Sequence, residues 1–228
     1  MTRLSQKVLS EKELAQLSAD AEVLERDTKG IKVLRLNDGN ILKFFRVKRW
    51  WSGACIYPYS ARFCRNAIRL HEKNVRSIEV IAYYKLMSPG LTAVLYRPLL
   101  GRTLRDIARI SGLQKPLIQS LAKFVFELHQ QGIYFRSLHL GNIVQTPEGN
   151  LGLIDIADMQ ILPFSLFLSR RLRNFRHLSR LKGDRELFGE KGWDLLLETY
   201  TGVSHWPENK CEKFATSARK IFTIAEIQ

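Results

Sequence analysis

Residues Leu128 to Met159 read LHQQGIYFRSLHLGNIVQTPEGNLGLIDIADM. An apolar helical pattern ends at Gly132, a short loop follows, and Asn142 closes that loop. Two short β pieces, Ile143–Gln145 and Leu151–Ile154, flank the turn Pro147-Glu148-Gly149-Asn150. Asp155 ends the second apolar run. An amide and a carboxylate presented on either side of a hairpin can converge on a divalent cation. Oxygen ligands suit Mg²⁺, which takes one or two protein ligands and completes its shell with phosphate oxygens and water. The plainer alternative is a turn Asn and a strand-end Asp making local caps.

Upstream, Pro116 opens the helix in which Leu117, Leu121, Phe124, Val125 and Leu128 recur at helical spacing. Thr103 caps a shorter helix before it. Ahead of Gly101 the pattern is mostly β. Ser10 followed by Glu13 forms a capping box that opens a helix over roughly 11–18. Short strands are expected at Glu22–Arg26, Ile31–Leu36 and Ile41–Val47. Asp27-Thr28-Lys29-Gly30 separates the first two, and Asn37-Asp38-Gly39-Asn40 is a hairpin signal between the next two. A loop follows over 48–58. Phe63, Ala67, Leu70 and His71 then share one helical stripe, and Asn74 ends that helix. Two more strands, Ser77–Lys85 and Leu91–Arg97, are joined by Ser88-Pro89-Gly90. Downstream of about residue 165 the chain is helical and basic. The spacing therefore predicts an α+β chain with a boundary near Arg97–Gly101. Residues 1–97 form a β-rich lobe with an N-terminal helix, and residues 98–228 an α-rich lobe.

The chain of 228 residues carries 36 Lys+Arg against 22 Asp+Glu, a formal charge of +14. Such a charge attracts polyanions without deciding the fold. Residues 29–76 hold twelve Lys/Arg against Asp38 and Glu72, or +10. Residues 165–185 hold seven against Asp184, or +6, so the remainder is slightly acidic. Each basic segment alone reads equally well as a solvated face. The three cysteines, Cys55, Cys64 and Cys211, show no metal-ligand spacing, and reduced thiols are expected. The N-terminal residues carry charges through any apolar stretch, so no signal peptide is expected. No apolar run approaches the 18 or so residues that would cross a bilayer. Ile161 to Leu168 (ILPFSLFL), followed by basic residues, reads as a packed loop or as a segment lying on a membrane surface. Trp50 and Trp51 beside Lys48 and Arg49 read as interfacial contact or as loop packing. No RNP-like, zinc-finger or helix-turn-helix signature supports a nucleic-acid-binding protein, which stays a minor alternative.

The ordered set around Asn142 and Asp155 resembles the protein-kinase-like superfamily, in which a catalytic loop H-R-D-x-x-x-x-N precedes a hairpin and a metal-binding Asp. The phrases FRSLHLGN, GLIDIAD and RRLRNFRHLSRL are similar to those of lipopolysaccharide core kinases acting on Kdo or heptose, in the branch of the toluene tolerance proteins. The resemblance covers roughly residues 20 to 200. It implies a two-lobed fold with a small antiparallel β N-lobe holding one helix and an α-rich C-lobe. It implies ATP and Mg²⁺ as cofactors, with Asn142 and Asp155 on the metal. Lys43 then pairs the nucleotide phosphates, with Asn66 where a Glu normally holds that lysine. Tyr96 and Leu99 fall in the segment that meets the adenine, and Gly30 in the glycine-rich turn.

The departure lies at Ser137, which stands where the catalytic Asp belongs. A serine is no general base at neutral pH, and that role is typically worth about 10²–10⁴-fold. His139 and Asp158 are candidate substitutes. Arg136 is read as structural. Arg170, Arg171, Arg173, Arg176 and Arg180 are candidates for an anionic acceptor. The expectation is an ATP- and Mg²⁺-dependent phosphotransferase acting on a lipopolysaccharide core sugar or similar anionic glycolipid. It is placed in the cytoplasm, with peripheral contact at the inner face of the inner membrane. The alternative is a pseudokinase scaffold that has lost catalysis.

Overall fold

The computed structural model describes residues 5–46 and 58–224. Val47, Lys48, Arg49, Trp50, Trp51 and Cys55 lie outside the described residues. The chain divides into two compact units. One runs to Leu99 and takes in Ile156–Asp158; the other starts at Leu100, runs to Asp155 and resumes at Met159.

The first unit contains β1 (Gln6–Leu9), α1 (Glu11–Leu17), β2 (Glu22–Asp27), β3 (Gly30–Arg35), β4 (Ile41–Arg46), α2 (Tyr59–Glu72), β5 (Arg76–Ser77), β6 (Glu79–Leu86) and β7 (Leu91–Arg97). Six of these strands form one sheet in the order β1-β6-β7-β4-β3-β2. Local chemistry sets its turns. The Ser10 hydroxyl accepts from the Glu13 amide at 3.3 Å and the Glu13 carboxylate accepts from the Ser10 amide at 2.8 Å, the reciprocal cap expected of α1. Asp27 accepts from the Lys29 amide at 2.7 Å and pairs with Gly30 across a two-residue turn. Gly30 adopts φ +115°, a conformation open to glycine. Leu34, Leu42, Ala93 and Leu95 fill the sheet's core.

Three expectations change in this unit. The N-terminal residues Gln6–Leu9 form a strand parallel to β6, so the sheet is not wholly antiparallel. The strand expected over Ser77–Lys85 is two pieces, β5 and β6. On α2, Phe63, Ala67 and Leu70 are buried, but His71 is exposed. A stripe of i, i+4 and i+7 carries the helix against the sheet without it.

The second unit contains β8 (Arg102–Thr103), α3 (Leu104–Ser111), α4 (Lys115–Gln130), β9 (Ile133–Phe135), β10 (Ile143–Gln145), β11 (Leu151–Leu153), β12 (Met159–Ile161), α5 (Leu168–Leu178), α6 (Lys182–Gly202) and α7 (Glu208–Ile224). Thr103 accepts from the Asp106 amide and caps α3. Strands β8, β10 and β11 form an antiparallel ladder, and β9 pairs antiparallel with β12. The loop expected directly after Gly132 is thus a strand, too short to show periodicity. Gly132 stops α4 with φ +76°, and a Cβ there would meet the Phe164 carbonyl oxygen at 2.4 Å. Phe175 is the hub of the helical core. Its ring meets Trp193, Tyr200 and Phe214 edge-on, with centroids 5.0–5.7 Å away.

Candidate active site

The loop from Ser137 to Asn142 is held by bonds that its own sequence supplies only in part. The Asn142 side-chain amide donates to the Ser137 carbonyl at 2.9 Å, and its backbone amide donates to the His139 carbonyl at 2.9 Å. The Asn142 carbonyl in turn accepts from the Ile154 amide at 3.0 Å, which joins the loop to the residue before Asp155. With the Asn142 nitrogen committed, Oδ1 is the acceptor end of that side chain. Asp155 sits in the left-handed region at φ 52°, ψ 45° and is exposed. That conformation is uncommon outside glycine. It ends the β11 run and turns the chain into the short helical turn Ile156–Asp158.

The remaining anchor was not foreseen. Asp184, on the first turn of α6, is 1% exposed. It accepts from the Leu140 amide at 3.0 Å, from Arg105 Nε at 2.7 Å and from Arg105 Nη2 at 3.0 Å. A buried carboxylate is costly unless paired and fully bonded, and here two N–H groups of one guanidinium and a loop amide satisfy it. Gly141 makes room for this arrangement, since a Cβ there would lie 2.6 Å from Arg105 Nη1. A trace of the signal is visible in sequence, because Asp184 is the one acid in the basic stretch 165–185. Its partner Arg105 lies 79 residues away, beyond any local pattern.

Arg105 also fixes His139. Arg105 Nη2 lies 3.3 Å from His139 Nδ1. Burial, and then the charge of Arg105, hold the His139 pKa below its ordinary value. The ring is therefore neutral near pH 7. Guanidinium only donates, so Nδ1 accepts and the ring proton sits on Nε2. His139 presents a donor there. Ser137 is half-buried beside it in sequence, one residue after the exposed Arg136.

The first unit carries the residues assigned to the nucleotide. Lys43 lies on β4, its Nζ 5.6 Å from the Phe63 ring centroid and 5.7 Å from that of Phe45. The Tyr96 ring, on β7, is 5.3 Å from Phe63. Asn66 is 1% exposed, and its amide donates to the Ile156 carbonyl at 2.7 Å. That bond ties α2 to the residue after Asp155. Asp158, a candidate base, belongs to the same short turn and to the first unit. Gly30 lies in the β2–β3 turn, and Leu99 ends the unit half-buried. Among the described residues no three His, Cys, Asp or Glu side chains cluster as a metal site. An Asn–Asp oxygen pair fits Mg²⁺ that draws its other ligands from phosphate.

Helix α5 divides the basic residues by face. Arg171 does not face an acceptor, because it is 3% exposed. Its guanidinium donates to the Leu166 carbonyl, the Tyr200 hydroxyl and the Gln130 side chain at 2.8, 2.8 and 3.2 Å. Arg170, Arg173 and Arg176 turn the other way and line a cavity of about 490 Å³ with Arg136, Tyr134, Gln160 and His177. Arg180 is exposed beyond the end of α5 and is not among the residues that line it.

Solved structures that resemble this chain include two of WbdD. A structure of WbdD with the kinase inhibitor LY294002 matches 82% of this chain and 43% of its own, at 16% identity and a TM-score of 0.49. A structure of the bifunctional kinase-methyltransferase WbdD matches 85% of this chain and 46% of its own, at 17% identity and a TM-score of 0.52. The fold is protein-kinase-like. It is a two-lobed α+β arrangement with a β-rich first unit and a helical second unit. The chain spans less than half the length of these two solved chains. No family model and no curated protein matches it. No helix of the described residues is long and apolar enough to cross a membrane.

Proposed function

We propose that the protein is an ATP- and Mg²⁺-dependent phosphotransferase whose acceptor is an anionic sugar or glycolipid of the lipopolysaccharide core type. The observation that carries this reading is the bonded unit of Ser137, Asn142 and Ile154, followed directly by Asp155, which leaves an amide oxygen and an exposed carboxylate at the two ends of one hairpin. In this reading Asn142 and Asp155 hold Mg²⁺, which when bound neutralises phosphate charge. Lys43 adds its own charge to the phosphates, Asn66 fixes the α2 end of the Asp155 segment, and Gly30, Tyr96 and Leu99 border the nucleotide. Phosphoryl transfer depends mainly on positioning and electrostatics. His139 donates from Nε2 to a phosphoryl or acceptor oxygen. Residues 1–97 supply the nucleotide-binding lobe, and residues 98–228 the catalytic and acceptor lobe. The exposed Phe164 and Phe167 favour peripheral contact at the inner face of a bacterial inner membrane. A thermal-shift titration with ATP and Mg²⁺ tests the binding half. A saturable rise that Asp155→Ala removes is the expected result, and no shift at millimolar nucleotide sinks the reading.

A pseudokinase is the second reading, favoured by Ser137 and Asn66 standing where carboxylates belong. ATP turnover separates the two. Turnover by the wild type that Asp155→Ala abolishes excludes a pure scaffold. Turnover that appears only in Ser137→Asp supports it.

A further inference from the structure

The cavity beside α5 is built of unlike elements that share one sign of charge. Tyr134 on β9 and Gln160 on β12 are cross-strand partners and form its floor. Arg170, Arg173, Arg176 and His177 recur along one face of α5 and form its wall. Arg136, which follows β9 and precedes Ser137 in sequence, also lines it. Neutral groups hold the frame in place. Arg170 donates to the Gln160 side chain at 3.0 Å and lies 5.6 Å over the Tyr134 ring, and the Tyr134 hydroxyl is 3.2 Å from His177 Nε2.

Four guanidiniums line this space, and among the described residues no Asp or Glu does. Like charges gathered in one concavity repel and concentrate anions there. A guanidinium fork matches the spacing of phosphate oxygens, and several around one group favour a dianion over a single carboxylate. The volume suits a small phosphorylated molecule.

We infer that this cavity binds the phosphate group of a phosphomonoester, and that the acceptor therefore reaches the enzyme already phosphorylated. The second clause rests on the phosphotransferase reading; the binding itself does not. Arg136 joins the two, because it lines the cavity and directly precedes Ser137. The phosphate thus anchors one end of the acceptor while its hydroxyl extends toward the loop.

Calorimetric titration of the full chain with inorganic pyrophosphate and with glucose 1-phosphate, without nucleotide or metal, tests the inference. Saturable one-to-one binding is expected. Arg173→Gln and Arg176→Gln should each weaken it about tenfold or more, since charge-assisted bonds are among the stronger ones. Both side chains are exposed, so the melting temperature should stay within a degree or two of wild type, and Arg109→Gln, on a different helix, should bind as wild type does. A second arm sediments the protein with phosphatidylcholine vesicles containing phosphatidic acid, against vesicles of equal charge containing phosphatidylserine. A preference for phosphatidic acid lost in Arg173→Gln supports the inference and names a lipid as the source. Glucose 1-phosphate binding without that preference supports it with a free phosphorylated sugar as the source. No binding in either arm, or equal loss in Arg109→Gln, overturns it. Asp155→Ala should bind pyrophosphate normally, so a failure of ATP turnover and a failure of this cavity are read separately.

Discussion

Seven arginines of the helical unit fall into two populations, Arg105, Arg171 and Arg185 against Arg136, Arg170, Arg173 and Arg176, and α5 carries both on opposite faces. Arg171 points inward, where its guanidinium is consumed by three neutral acceptors and packs 5.5 Å over Phe126 and 5.1 Å over Trp206. Arg170, Arg173 and Arg176, at intervals of three, point at the cavity. Arg105 and Arg185 belong with Arg171. The first holds Asp184, and the second donates to the Ser179 and Arg180 carbonyls. Residue type and charge are the same in both populations. What differs is what each guanidinium meets. The inward arginines bond protein groups and fix the backbone that shapes the site, and the outward ones line the cavity.

The comparison breaks most sharply at Asp184. Asp184→Ala leaves Arg105 without its carboxylate and the Leu140 amide without its acceptor. Removing one partner of a buried pair should cost about 3–5 kcal/mol, read by urea denaturation. A loss under about 1 kcal/mol would place Asp184 outside the scaffold. Arg171→Met comes next. The side chain keeps its packing but strands the Leu166 carbonyl, while the Tyr200 hydroxyl keeps only His129, so a loss of roughly 1–3 kcal/mol is expected. Pyrophosphate binding per folded molecule should be unchanged in that variant, whereas a ligand-facing Arg171 would lose it.

Acid offers a smaller probe of the inward face. His129 is fully buried against Tyr200 and Asn174, and burial, helped by the charge of Arg171, pushes its pKa down to about 3. The unfolded chain then takes up a proton that the folded protein refuses. This contribution is complete above about pH 6.5 and is lost as pH falls toward 3. The slope is at most about 1.4 kcal/mol per pH unit for one group. Denaturant midpoints between pH 7 and 4 should show the fall, and Arg171→Met should shallow it. A pH-independent midpoint would contradict the assignment. The smallest effect belongs to the outward face. Arg173→Gln should shift stability by no more than about 0.5 kcal/mol while weakening anion binding. A large destabilisation would move Arg173 into the inward population.

These two populations mark the limit of what could be read from the chain alone. The run RRLRNFRHLSRL announces a basic helix, yet placing Arg171 inside requires knowing that Tyr200 and Gln130 arrive from other helices. Turn chemistry was legible because it is local. Asp38-Gly39 between apolar strands, Ser10 with Glu13, and Thr103 before α3 each name their own conformation. The three-residue strands β9 and β12 were not, because alternation needs more residues to show. Nor was β1, whose exposed pattern gives no hint of a parallel partner some 77 residues on. At the site, the hairpin that separates Asn142 from Asp155 was visible in spacing. Asp184 depends on long-range pairing and was not.

Everything proposed for the nucleotide rests on Asn142 and Asp155 acting together on a metal–phosphate group. The most direct test is release of labelled phosphate from γ-labelled ATP, with and without Mg²⁺, in wild type and in Asp155→Ala. Mg²⁺-dependent turnover in the wild type, lost by at least about 10²-fold in Asp155→Ala with folding intact, is the expected result. Turnover that is unchanged in Asp155→Ala, or independent of Mg²⁺, would contradict the account.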